Sequence, residues 1–133
     1  MKGDQPEMNF VPKSWGFEKW IVNKSKYCGK LLYMVKDRKM SLHYHKQKDE
    51  VFYIQSGIVK VLFSDETEFA LSIKIKGGTP HEELCESIIL QKGDNFHVPV
   101  HRIHQIIALQ DSEIFEFSTQ HFDDDSYRIL KGS

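Results

Sequence analysis

The sequence predicts an all-β protein, folded as an antiparallel β-barrel or sandwich, on three observations. Short segments rich in β-branched and aromatic residues recur along most of the chain. Polar or glycine-containing breaks separate these segments at nearly regular intervals. No segment shows a clear helical period of apolar residues. At 133 residues the chain is long enough to bury one core, so we expect a single domain over residues 1–133.

The elements follow from the positions of these segments and breaks. The predicted strands are, in chain order, LLYMVK, SLHYH, EVFYIQ, IVKVLFS, FALSIKI, ESIILQK, NFHVPV, RIHQIIAL and EIFEFST. Residues 1–22 are interpreted as an N-terminal arm or edge strand, and residues 121–133 as a C-terminal tail with a helical turn or two. The longest break, KGGTPHEEL, is interpreted as an exposed loop or a lid, with residues 77–84 at its centre.

Composition excludes several classes of protein. The net charge of −1 gives no reason to expect a nucleic-acid-binding surface. No apolar stretch approaches the ~20 residues of a membrane-spanning helix, and the N-terminus lacks the apolar region of a signal peptide. Cys28 and Cys85 form neither a disulfide framework nor a CxxC pair. We therefore expect a cytoplasmic protein that does not bind membranes.

The stretch SLHYHKQKDEVFYIQSG, residues 41–57, carries metal-ligand chemistry. Residues two apart on a strand share a face, so His43 and His45 point the same way. Glu50 shares its face with the core-like residues Phe52 and Ile54. A buried carboxylate is expensive unless it is paired, and a bound cation is one such partner.

A further imidazole comes from the stretch GDNFHVPVHRIH. His104 shares a face with Ile106 and Ala108, which places it at the inner end of a buried strand. The sequence thus predicts a site for one divalent transition metal (Zn, Mn, Fe, Co or Ni), with the ligands His43, His45, Glu50 and His104.

Both stretches resemble the two sequence motifs of the cupins. The first motif is an HxH pair, a gap of three or four, Glu, a gap of six and Gly; here it is His43, His45, Glu50 and Gly57. The second contains Gly, Pro, Gly and His, and here Gly93, Pro99 and His104 stand at the matching positions. The resemblance implies a cupin-type antiparallel β-barrel, a double-stranded β-helix or jelly roll.

Two positions depart from the cupin motifs. Arg38 and Lys39 occupy the turn where the first motif begins with glycine, and His101 replaces the glycine of the second. Both departures concern backbone positions that tolerate positive φ, and neither changes the ligand set.

A second resemblance is to the small cupin domain of type II mannose-6-phosphate isomerases, over residues 12–130. It rests on Trp15-Gly16, on Lys30 thirteen residues before the first histidine ligand, on Ser41–His45 and on Asp124–Arg128. That family usually has glutamine at the position of His43. It also has a shorter interval than Ile58–Lys92 between the motifs.

This resemblance implies a metal-dependent aldose–ketose isomerase that acts on a sugar or sugar phosphate through a metal-stabilised cis-enediol. Lys30 would then be a phosphate ligand or proton carrier, and Arg128 a clamp for phosphate or enediolate. His97, two residues before Pro99, would be an inward-pointing base or a partner of a ligand. His101 and His121 are interpreted as residues of the barrel rim.

Two other functions fit the same residues. Three histidines and a glutamate are also the ligand set of several Fe-dependent cupin dioxygenases, and a sugar-binding cupin without catalysis is the third possibility. For assembly we expect a homodimer, paired through the aromatic segment that contains Phe10, Trp15, Phe17 and Trp20. The same rings would instead close the barrel's own core in a monomer.

Overall fold

The computed structural model of the chain describes residues 3–133. The first two residues of the predicted N-terminal arm lie outside this range. The strands are β1 Asn9–Lys13, β2 Gly16–Asn23, β3 Cys28–Met34, β4 Leu42–Tyr44, β5 Glu50–Ser56, β6 Ile58–Ser64, β7 Glu86–Gln91, β8 Asn95–Val98, β9 Ile103–Ala108, β10 Ser112–Ser118 and β11 Tyr127–Leu130. The helices are α1 Glu68–Lys76 and α2 His81–Leu84, and a 3-10 turn covers Asp123–Asp125.

The strands form two antiparallel sheets, as the sequence predicts. One sheet has the strand order β1-β2-β3-β10-β5-β8, and the other has β11-β4-β9-β6-β7. Strict alternation along β3, from Cys28 to Met34, places every second side chain in the interior. The core between the sheets is apolar at one end, and Leu32, Ile54 and Ile106 are among its fully buried members. This jelly-roll arrangement confirms the predicted fold class.

One predicted strand is wrong, because FALSIKI forms most of helix α1. The segment alternates apolar residues, which satisfies a strand pattern. The Thr67 side chain accepts a hydrogen bond from the backbone N–H of Ala70 at 3.2 Å and caps a helix instead. Leu71 and Ile75, one turn apart, pack against Leu42 on the outer face of the second sheet. That contact decides in favour of the helix.

The prediction of an exposed loop or lid at KGGTPHEEL is only partly right. This stretch holds the end of α1, a turn and the short helix α2. The His81 ring in α2 lies 3.0 Å from the buried Gln105 side chain, so α2 is attached to β9. The C-terminal tail also differs from expectation, because Tyr127–Leu130 pairs with β4 as strand β11. None of the helices within residues 3–133 has the length and apolar character needed to cross a membrane.

Backbone conformation explains the motif glycine Gly57 and shows how His101 replaces another. Gly57 has φ 84, and a Cβ there would lie 2.2 Å from the Ser112 Oγ, so only glycine fits. His101 replaces a motif glycine and keeps the left-handed conformation, with φ 71. Its backbone N–H donates to the His45 carbonyl at 2.7 Å, which joins the second motif to the first.

The aromatic residues predicted to form a pairing arm divide into separate environments. Trp15 is buried in the core, whereas Phe10 on the edge strand β1 is 65% exposed and contacts Phe17 at a ring distance of 4.9 Å. Trp20 lines the interior cavity described below. The homodimer therefore stays a prediction.

Candidate metal centre

Three histidines from two neighbouring strands converge inside the barrel. His43 on β4 is the direct cross-strand partner of His104 on β9, and His45 lies two residues further along the face of His43. One ring nitrogen from each of the three lies within 4.8 Å of the others. The structure thus brings together the three imidazoles that the motifs predicted.

Hydrogen bonds fix the orientation of all three rings. The Nδ1 atoms of His43, His45 and His104 lie 2.9, 2.7 and 3.0 Å from the backbone carbonyls of Ser41, Asp125 and Arg102. A carbonyl only accepts, so each Nδ1 carries the proton and donates it. Each Nε2 therefore keeps its lone pair, which is the state in which imidazole binds a metal.

Glu50 lies beside the histidine cluster and offers a carboxylate as a further donor. One carboxylate oxygen, Oε1, lies 3.1 Å from Nε2 of His104. Two ligands at bond lengths of about 2.1 Å and a right angle are about 3 Å apart, so this spacing suits neighbouring ligands of one ion. Within residues 3–133, Nε2 of His104 is buried and lacks a well-oriented hydrogen-bond partner, whereas Oε2 of Glu50 has the Lys48 ammonium 3.0 Å away. Buried polar atoms without such partners are expected where a cation binds.

The electrostatics of the site keep these ligands ready for a cation. Burial lowers the pKa of His45 to about 4 and holds the pKa of His43 well below its ordinary value, so both rings are neutral at pH 7. Burial alone would raise the pKa of Glu50. The Lys48 ammonium opposes this effect of burial and holds the pKa of Glu50 below its usual range, so the carboxylate stays charged.

A buried ion-pair chain continues from Glu50 across the barrel, and sequence reasoning missed it. Lys48 Nζ lies 3.0 Å from Oε2 of Glu50 and 3.0 Å from Oε2 of Glu116 on β10. Burial, and then the charge of Glu50, raise the pKa of Glu116. Lys48 lies in the polar turn KQKD, and Glu116 lies on a strand without a metal-binding motif, so neither residue carries a local signal of burial. Only the fold brings these two residues together, because they are 68 positions apart in the sequence.

Lys30 on β3 belongs to the same chain of contacts. It is 2% exposed, and its Nζ lies 4.0 Å from Glu116, 3.7 Å from Glu18 and 4.3 Å from the centre of the Trp20 ring. Its Nζ also lies 3.1 Å from Nδ1 of His121. The His121 side chain is only 15% exposed, so this residue is more enclosed than the predicted rim position.

All of these groups face one cavity of about 540 Å³ between the two sheets. Its lining also includes the cationic residues Arg128 and Lys131 near the C-terminus and Lys13 on β1. Among residues 3–133, these three cations form no ion pair. Outside the buried ion-pair chain, the lining therefore carries charges of both signs, because Asp123 lies there together with the three cations.

The expected inward position of His97 is wrong. Its side chain is 57% exposed and lies 2.8 Å from the Asp49 carboxylate on the protein surface. His97 is absent from the residues that line the cavity. Alternation on β8 explains this, because the buried neighbour Val98 takes the inward position.

The fold and the site together define a two-sheet jelly roll with a histidine–carboxylate cluster in its interior. The family model described as "Cupin" matches residues 22–130, and the chain belongs to the cupin family. No curated protein matches the sequence significantly.

Several solved structures share the fold. KdgF from Halomonas sp. superposes with a TM-score of 0.65 at 18% identity, over 92% of this chain and 95% of KdgF. Oxalate decarboxylase from Bacillus subtilis superposes with a TM-score of 0.71 at 16% identity, over 92% of this chain and 30% of the enzyme. The capsular polysaccharide assembling protein CapF from Staphylococcus aureus superposes with a TM-score of 0.69 at 15% identity, over 93% of this chain and 34% of CapF. This chain spans about a third of the latter two proteins, and the likeness at these identities concerns the fold.

Proposed function

We propose that the protein is a metal-dependent enzyme that interconverts an aldose and a ketose, with a sugar or sugar phosphate as substrate. The observation that carries the proposal is the shared cavity. The metal-competent cluster of His43, His45 and His104, with Glu50 3.1 Å from the His104 ring, opens onto the same space as the buried ion-pair chain that contains Glu116. Aldose–ketose isomerisation needs both a polarised carbonyl and a nearby proton acceptor.

A divalent ion held by the three histidines and Glu50 would supply a Lewis acid for the oxygens at C1 and C2 of the open-chain sugar. The protein's own residues then have to move one proton between these carbons. Glu116 is the strongest candidate for the base, because its raised pKa brings it closer to neutral pH and it lines the cavity. Lys48, 3.0 Å away, stabilises the charged form of this carboxylate.

The surroundings of Lys30 favour a role in proton transfer over phosphate binding. Its ammonium is shared by Glu116, Glu18 and His121, so little positive charge remains for a ligand. Arg128 is exposed and forms no ion pair within residues 3–133, and a guanidinium matches the geometry of phosphate. We therefore assign substrate binding to Arg128, and proton transfer to Lys30 with Glu116.

The experiment is a substrate panel in D₂O without oxygen. Metal-free protein is reconstituted separately with Zn, Mn, Fe(II), Co and Ni, then incubated with mannose, fructose and their 6-phosphates and followed by ¹H NMR. The expected result is aldose–ketose interconversion with deuterium at the carbon next to the carbonyl, in a metal-dependent manner. Oxygen consumption by the Fe(II) protein in air, without isomerisation, would favour a dioxygenase. Binding without turnover by any metal form would leave a sugar-binding protein.

A further inference from the structure

Asp125 is a buried acid outside the predicted ligand set, and it contacts the metal-ligand segment directly. It lies in the 3-10 turn Asp123–Asp125 and is 1% exposed. Its carboxylate oxygens accept the backbone N–H groups of Lys46, Gln47 and Lys48 at 2.9, 3.1 and 3.1 Å. An acid from the C-terminal tail thus closes the turn between the histidine pair and Glu50.

The backbone of the same residue also orients a ligand. The Asp125 carbonyl accepts the Nδ1–H of His45 at 2.7 Å, which leaves Nε2 directed at the cluster. The carboxylate therefore holds the turn that begins after His45, and the carbonyl holds the His45 ring. Lys48, at the end of this turn, carries the ammonium that lies 3.0 Å from Glu50.

Among the three aspartates of the 3-10 turn, only Asp125 is buried against the metal-ligand segment. Asp123 and Asp124 are exposed, although they belong to the same acidic run. Strand β11 is attached separately, because Tyr127 and Arg128 pair with Tyr44 and His43 of β4. The tail thus has its own anchor, and within residues 3–133 the hydrogen bonds of the Asp125 carboxylate go to the turn 46–48.

We propose that Asp125 is the positioning residue of the metal site. Its carboxylate fixes the turn that carries Lys48. Because this turn is fixed, the Asp125 carbonyl stays within hydrogen-bond distance of the His45 Nδ1–H. The inference rests on the metal site of the proposed function, but it does not depend on which substrate is used. Residues that orient a metal-bound histidine in this way affect metal affinity even though they never touch the metal.

The test compares metal affinity and ring tautomer in matched variants. Zinc affinity is measured by competition with a chelator for the wild type, Asp125→Ala and Asp125→Asn. Asp124→Asn serves as an exposed neighbour, and Asp111→Ala as a control for loss of a turn cap, since Asp111 accepts the Lys36 N–H outside the cavity. We expect Asp125→Ala to weaken zinc binding roughly 10- to 100-fold. Asp125→Asn should weaken it less, because one oxygen remains to accept, and the two controls should bind as the wild type does.

Long-range ¹H–¹⁵N NMR of the metal-free proteins gives a second readout. The wild type should show His45 protonated at Nδ1. The Asp125 variants should show a tautomer mixture at His45, with His43 and His104 unchanged. If Asp125→Ala does not fold, zinc affinity and the His45 tautomer of Asp125→Asn decide the role of Asp125. Wild-type affinity together with an unchanged His45 tautomer would overturn the role of Asp125. Absence of zinc binding by the wild type would overturn the metal site itself, while the tautomer data would still decide the role of Asp125.

Discussion

Single residues inside the barrel depend on one another through charge. Lys48 is 4% exposed and lies between the carboxylates of Glu50 and Glu116. Burying a charge is costly unless it is paired, so removal of one partner leaves the others uncompensated. Since Lys48 contacts the ligand Glu50 on one side and the proposed base Glu116 on the other, it links metal binding to proton transfer.

The first prediction concerns Glu116. Replacement with glutamine keeps the shape of the side chain but removes the proton acceptor, so kcat on the best substrate of the panel should fall by roughly 100-fold or more. Metal content should stay at the wild-type value, because Glu116 is outside the ligand set. Glu113→Gln is the matched control, since Glu113 lies on the same strand and bonds to Ser56 outside the cavity. Full activity of the Glu116 variant would remove this residue from the reaction.

The second prediction concerns Arg128. Replacement with alanine removes a charge-assisted contact worth about 1.5–3 kcal/mol, so kcat/KM should fall by roughly one to two orders of magnitude. A phosphate contact predicts that the loss appears mainly in KM, and metal content should be unchanged. Arg38→Ala, an exposed arginine outside the cavity, should have no effect. Equal kinetics for the two variants would contradict the proposed role.

Residue identity could be predicted from sequence where the signal is local. The motif spacing led to His43, His45, Glu50 and His104, and strand alternation placed Glu50 and His104 on the same faces as apolar residues. Lys48 gave no such signal. Its burial arises from a partner on a distant strand, and a charged residue in a polar turn normally faces solvent.

At the level of elements, helix α1 shows where a local pattern fails. Phe69, Leu71, Ile73 and Ile75 alternate as they would in a strand, yet only Leu71 is fully buried and Ile73 is 54% exposed. The signals for a helix were also in the sequence. Thr67 lies before an acidic first turn, and Lys74 and Lys76 lie before Gly77. In this segment the end signals predict the structure better than the alternation of apolar residues does.

The third prediction separates the two conformations of this segment. In a strand, Leu71 and Ile73 would share a face and have similar burial. In the helix, Leu71→Ala should lower the free energy of unfolding by about 3 kcal/mol, and Ile73→Ala by less than about 0.5 kcal/mol. Urea unfolding of both variants measures the difference. Equal losses for the two would argue against the helix.

At the level of the whole molecule, the site is made by closure of two sheets. Glu50 and Glu116 come from the first sheet, and His43 and His104 from the second. Overall architecture was predictable because alternation and turn residues recur along the chain. The pairing of β11 with β4 was not, since a four-residue strand after a polar run carries little pattern.

The fourth prediction is an acid-dependent loss of stability in the metal-free protein. His45 has an ordinary pKa of 6.5 and a folded pKa of about 4, so between these values the unfolded chain binds a proton that the folded chain does not. Stability should therefore be complete above pH 6.5 and fall as pH decreases toward 4, by up to about 3 kcal/mol from this residue. The pKa of His43 is also lowered in the folded protein, so protonation of His43 in the unfolded chain lowers stability in the same pH range. Urea unfolding in the presence of a chelator at pH 7, 6 and 5 measures the loss, and His45→Asn should reduce it. Constant stability over this range would contradict the assigned burial.

We propose that one divalent ion binds to His43, His45, Glu50 and His104. Titration of the metal-free protein with Co(II), followed by absorption spectroscopy, measures both the stoichiometry of binding and the geometry of the ligands. We expect saturation at one ion per chain, with binding weakened in His104→Ala and preserved in His97→Ala, whose side chain lies at the surface. Absence of saturable binding, or equal binding by these two variants, would contradict this metal site.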